Sequence, residues 1–87
     1  MVIKQPADTL ESAFGSVLRQ LRESKGLSQE ELADQCSIHR TYVSQLERGL
    51  KSPTLRLVWQ ICASLDVSLL SLITNVQKRM ESNRNAD

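Results

Sequence analysis

The stretch that most constrains this chain is "LSQEELADQCSIHRTYVSQLERG", Leu27 to Gly49. Ser28 is placed to accept from the backbone amide three residues on while Glu31 reaches back to Ser28, which is a capping box. Leu27 before the cap and Leu32 after it hold the positions of a hydrophobic staple. Leu32, Ala33 and Cys36 supply an inner face, so a short helix runs from this cap. After about three residues a second short helix begins near Arg40, buries Val43 and Leu46, and stops at Gly49. Two short helices joined so tightly must cross steeply rather than lie antiparallel.

The rest of the chain fits around that pair as helices. Leu10, Phe14, Val17, Leu18 and Leu21 recur at helical spacing, with Gly26 as a left-handed terminator. After Gly49, "LKSPT" reads as a loop, with Pro53 and Ser52 or Thr54 as start signals for a fourth helix. Leu55, Val58, Ile61, Cys62 and Leu65 make its inner stripe. A fifth helix starts near Ser68, its stripe carried by Leu69, Leu72, Ile73, Val76 and Met80. No period-2 strand pattern competes, so the expected fold is all-α with five helices. An N-terminal arm is expected over 1–9, the folded domain over 10–81 and a flexible polar tail over 82–87.

At 87 residues the chain has room for one small domain with little core to spare. No apolar run approaches the ~20 residues of a membrane span, and "MVIKQPADTL" lacks the parts of a secretory signal. A cytoplasmic protein associated with the nucleoid is the expectation. Cys36 and Cys62 both fall at apolar helical positions, which suits reduced core thiols. Eleven basic against ten acidic residues give a formal charge of +1, which by itself advertises no nucleic-acid partner. Distribution says more: Arg40, Arg48, Lys51 and Arg56 lie in a window of 17 residues whose one acid is Glu47.

The second helix of the tight pair, about 40–48, carries the chemistry. Arg40, Thr41, Ser44, Gln45 and Arg48 fall on one helical face, opposite Val43 and Leu46. Such a face is ordinarily just solvated. Its residue types, however, match base edges: Arg bridges guanine O6 and N7, Gln pairs with adenine N6 and N7, and a Thr methyl touches thymine.

In "LSQEELA", then "YVSQLERG", then "SPTLRLVWQICASLDVS", the chain resembles the XRE family of helix-turn-helix DNA-binding proteins, which includes the lambdoid phage repressors. The likeness covers about Phe14 to Ile73. It implies a five-helix lambda-repressor-like domain in which the helix over 40–48 enters the major groove of double-stranded DNA. By resemblance, Arg40, Thr41, Ser44 and Gln45 read bases. Gln29 bonds a phosphate, Arg48 lies near one, and Arg22 pairs with Glu47 while being presented towards the backbone; Lys51 and Ser52 are expected to add further phosphate contacts. His39 stands where relatives carry a capping Ser or Thr, so it either caps through its ring or turns out to the bases. Tyr42 divides similarly between packing and phosphate contact. Relatives often place Gly where this chain has Ser37 and Asp66. Within the family, "HRTYVSQLERG" looks most like the controller proteins of restriction-modification systems, small dimers that regulate a promoter.

A reading helix alone touches few base pairs, so a homodimer on an inverted repeat is expected. Leu69, Ile73, Val76 and Met80 are its expected interface, with Trp59 either buried against the fifth helix or part of the same face. Activation would need a further surface for RNA polymerase, and no residue pattern marks one. The rival function is an antitoxin-type module that binds a protein and also regulates its own promoter. An enzyme is not expected: one histidine, no phosphate loop and no nucleophile with its base. Cys36, His39 and Cys62 lack the paired spacing of a metal site, and neither metal nor cofactor is expected.

Overall fold

The computed structural model describes residues 9–84 and forms five helices in the order α1 (Leu10–Ser24), α2 (Gln29–Cys36), α3 (Arg40–Glu47), α4 (Leu55–Leu65) and α5 (Leu69–Arg84). The expected arm over 1–9 lies outside the described residues except for Thr9. Of the expected tail, residues 82–84 extend α5, so the helix runs past the boundary set at 81; residues 85–87 lie outside the described part.

Hydroxyl caps start four of the five helices. Thr9 accepts from the Ser12 amide, Ser28 from Glu31, Thr54 from Leu57 and Ser68 from Ser71, each at 3.0 or 3.1 Å. At α2 the Glu31 carboxylate also accepts from the Ser28 amide at 2.9 Å, which completes the box. Those bonds hold the Glu31 carboxyl below its ordinary value.

One motif ends the first four helices. Beyond each, a residue with positive φ, namely Gly26, Ser37, Gly49 or Asp66, reverses the chain. The next amide, that of Leu27, Ile38, Leu50 or Val67, then bonds back five residues to Arg22, Ala33, Gln45 or Cys62. This is the Schellman closure, whose second residue is characteristically apolar. Leu27, Ile38 and Val67 pack against the core, so each chain reversal also inserts a hydrophobic anchor.

The core is a single cluster drawn from all five helices, with Leu18, Leu32, Val43, Leu46, Ile61, Leu65 and Leu72 fully enclosed. Cys36 and Cys62 are free and buried, and burial pushes both thiols above their ordinary value. A Ser64 hydroxyl bonded to the Gln35 side chain ties α4 to α2. α1 packs against both α3 and α5. It approaches α3 so closely at Gly15 that an added Cβ would stand 2.4 Å from the Leu46 carbonyl oxygen.

Three expectations about packing are corrected. Leu55, placed on the inner stripe of α4, is 75% exposed, and Leu57 takes the core position instead. Leu10 is likewise exposed at the start of α1. Val76 is only 3% exposed and belongs to the protomer core, so it is not available to a partner subunit. Among the described residues no single helix is long and apolar enough to cross a membrane.

Candidate nucleic-acid interface

α3 is held from one side and left open on the other. Val43 and Leu46 are 0% exposed, whereas Arg40 and Thr41 are exposed and Ser44 and Gln45 partly so. The four polar side chains therefore share the outward face, as their spacing requires. Arg48, just past the helix, is exposed and its Nε lies 3.4 Å from the Ser44 carbonyl. Lys51 and Ser52 continue this surface into the α3–α4 loop, both exposed.

The start of α3 differs from every other helix start in the fold. His39 occupies the cap with extended backbone but makes no side-chain cap bond, and its ring is exposed. Capping through the ring, one of the two alternatives for His39, is therefore not what the structure has. Tyr42 is partly buried and packs against the core cluster, so its ring supports α3 from the side.

The other end of α3 is fixed by a buried ionic clasp. Arg22 on α1 donates from Nε to Glu47 Oε2 at 2.6 Å and from Nη2 to Oε1 at 3.0 Å. Its remaining nitrogen, Nη1, donates to the Leu27 carbonyl at 2.7 Å. Arg22 is 7% exposed, and its hydrogen bonds to Glu47 raise its pKa against the opposing effect of burial. Every guanidinium nitrogen is thus engaged inside the protein, so presentation of Arg22 to a phosphate is withdrawn. A bidentate pair of this kind with both partners shielded fixes direction as well as distance. Gln29, at the first position of α2, donates from Nε2 to the same Glu47 Oε1 at 3.0 Å. Sequence reading gave Gln29 only an outward role; nothing in its spacing announces this second bond.

Large apolar side chains are also exposed on α4 and α5. Trp59 on α4 is 65% exposed, and Leu55 on α4 and Leu70 and Ile73 on α5 are exposed as well. Of the residues expected at a subunit interface, Trp59 and Ile73 are exposed, while Leu69 and Met80 are partly buried against the protomer's own core. The exposure of Leu55 and Leu70 was not anticipated. Among the described residues no group of three His, Cys, Asp or Glu side chains is arranged to hold a metal.

Comparison with known proteins gives consistent matches. A family model described as Helix-turn-helix matches residues 18–72. The control protein C.BamHI of Bacillus amyloliquefaciens is 43% identical over 61 residues, covering 69% of this chain and 75% of that protein. The crystal structure of the clp gene regulator ClgR from Corynebacterium glutamicum superposes with a TM-score of 0.82 at 32% identity, over 88% of this chain and 99% of that one. The restriction-modification controller protein C.Esp1396I, solved as a tetramer in complex with its natural 35 base-pair operator, gives a TM-score of 0.74 at 31% identity over 82% and 93% of the two chains.

Proposed function

The chain belongs to the XRE family of helix-turn-helix DNA-binding transcriptional regulators, and from that premise we propose that it is a controller of restriction-modification type, binding an inverted-repeat operator as a homodimer. The observation that carries this reading is α3, an eight-residue helix anchored by two fully buried side chains with a polar face turned outward. Arg40, Thr41, Ser44 and Gln45 read base edges from that face, with His39 beside them at the open cap. Gln29, Arg48, Lys51 and Ser52 meet phosphates on either side, and Tyr42 reaches the backbone only with its hydroxyl. The likeness to C.BamHI and C.Esp1396I supports the controller assignment over the antitoxin alternative.

The subunit interface draws on the exposed apolar side chains Trp59, Leu55, Leu70 and Ile73 of α4 and α5 and on the partly buried Leu69. A two-fold dimer through it presents two copies of α3 to one side of the duplex, about 34 Å apart, one helical turn. Selection of bound sequences from random DNA tests the whole reading. It should return two half-sites in inverted orientation at that spacing; an unpaired site or no preferred sequence overturns it. Sedimentation of a Trp59→Glu variant should show monomer where the parent protein is dimeric.

A further inference from the structure

Glu47 is the point where three helices meet. Its carboxylate is almost fully shielded, takes both arms of Arg22 from α1, and takes the Gln29 amide from α2. Arg22 alone neutralises the charge, so the Gln29 bond is not required to make burial of the carboxylate tolerable. What it adds is geometric. A carboxylate oxygen accepts more than one donor, and the second donor here comes from the first residue of the helix that precedes α3. Arg22 reinforces the same point through the Leu27 carbonyl, one residue before the α2 cap.

The Gln29 amide carries two hydrogens. One is committed to Glu47, and the residue is partly exposed, so a second donor remains for a group outside the protein. We propose that Gln29 is a positioning residue for the reading helix: through Glu47 it couples phosphate contact at the start of α2 to the setting of α3. The proposal rests on the DNA-reading assignment of α3 and adds the link between backbone contact and base discrimination. In a merely additive arrangement, a phosphate donor on α2 contributes equally to every sequence. With the clasp, loss of Gln29 loosens the C-terminal end of α3 and weakens the operator more than random DNA.

Gln29→Met keeps the length of the side chain and removes both donors. The expected result is a fall of about tenfold in the ratio of operator to random-sequence affinity, the scale of one hydrogen bond to a charged group. In the free protein, amide exchange at Val43 to Glu47 should quicken while that of α4 stays unchanged. Gln29→Lys, which can still donate to Glu47, should restore most of the ratio. Equal weakening on both DNAs, with unchanged exchange in α3, would overturn the coupling and leave Gln29 as a simple phosphate donor. Failure of the parent protein to prefer any sequence would instead remove the DNA-reading assignment itself.

Discussion

Gly15 offers the sharpest test of how α3 is held. It lies in the middle of α1, where glycine is a poor choice: alanine is better in a helix interior by about 1 kcal/mol. On helix propensity alone Gly15→Ala should stabilise the protein. The structure reverses that sign. The new methyl would stand 2.4 Å from the Leu46 carbonyl oxygen, 2.6 Å from that of Glu47 and 2.8 Å from the Glu47 carbonyl carbon. All three are backbone atoms, so no side chain can swing aside. Reaching ordinary contact at 3.4 Å requires α1 and α3 to separate by about 1 Å. Separation strains the 2.6 Å Arg22–Glu47 bond and opens the packing around Leu18, Val43 and Leu46. Overpacking of this kind costs about 1 to 3 kcal/mol, and the opened contacts add to it. After the propensity gain, a net loss of about 1 to 3 kcal/mol is expected, which for a domain of this size lowers the melting temperature by roughly 5 to 20 °C. Thermal and urea unfolding followed by circular dichroism measure it. An unchanged or higher melting temperature would refute the close approach of α1 to α3 and the packing argument built on it.

Three further outcomes are expected. Arg40→Ala should cost about 1 to 3 kcal/mol on the operator and relax preference at one base position, whereas Lys51→Ala should weaken all sequences alike, as competition titrations against random DNA will read. Ser37→Gly and Asp66→Gly should each raise the unfolding free energy by about 0.5 to 1 kcal/mol, because φ near 55° strains an L-residue but not glycine; equal or lower urea midpoints would contradict the left-handed geometry. The Glu31 carboxyl titrates below its ordinary value in the fold, so it contributes stability above about pH 4.3, the unfolded value, and loses it as pH falls through its lower folded value. The urea-midpoint difference between the parent and Glu31→Gln should therefore be full at pH 6 and close towards pH 3.

Much of this architecture was legible because local chemistry and long-range packing agree. The capping box at Ser28, the stripe through Val58, Ile61, Cys62 and Leu65, and the terminators at Gly26 and Gly49 each have a sequence signature. Ser37 and Asp66 terminate in the same way without glycine, which the family likeness indicated and residue propensity did not. Periodicity failed where it reports an angle but not a neighbour. Leu55 is in phase with the α4 core, yet it sits in the first turn, where it is exposed. On α5 one stripe serves both the protomer core at Val76 and the open surface at Ile73, and spacing alone does not divide them. Gly15 lies inside the α1 stripe without a signature that marks it, and its close approach to α3 emerges only from the packing.

The residues that hold α3 explain why its reading face was the most legible part of all. An eight-residue helix without a side-chain cap has no stability of its own in water. The interactions that keep it in place come from its inner side, its flank and its C-terminal end: Val43 and Leu46 in the core, Tyr42 packed beside them, the Leu50 amide closing on Gln45, and Glu47 in the clasp of Arg22 and Gln29. Because the side chains of Arg40, Thr41, Ser44 and Gln45 make none of these bonds, substitutions there should alter which DNA is bound while leaving the unfolding free energy, at the exposed Arg40 and Thr41 above all, within about 0.5 kcal/mol of the parent. Substitutions at Glu47 should do the reverse, lowering stability first and specificity through it.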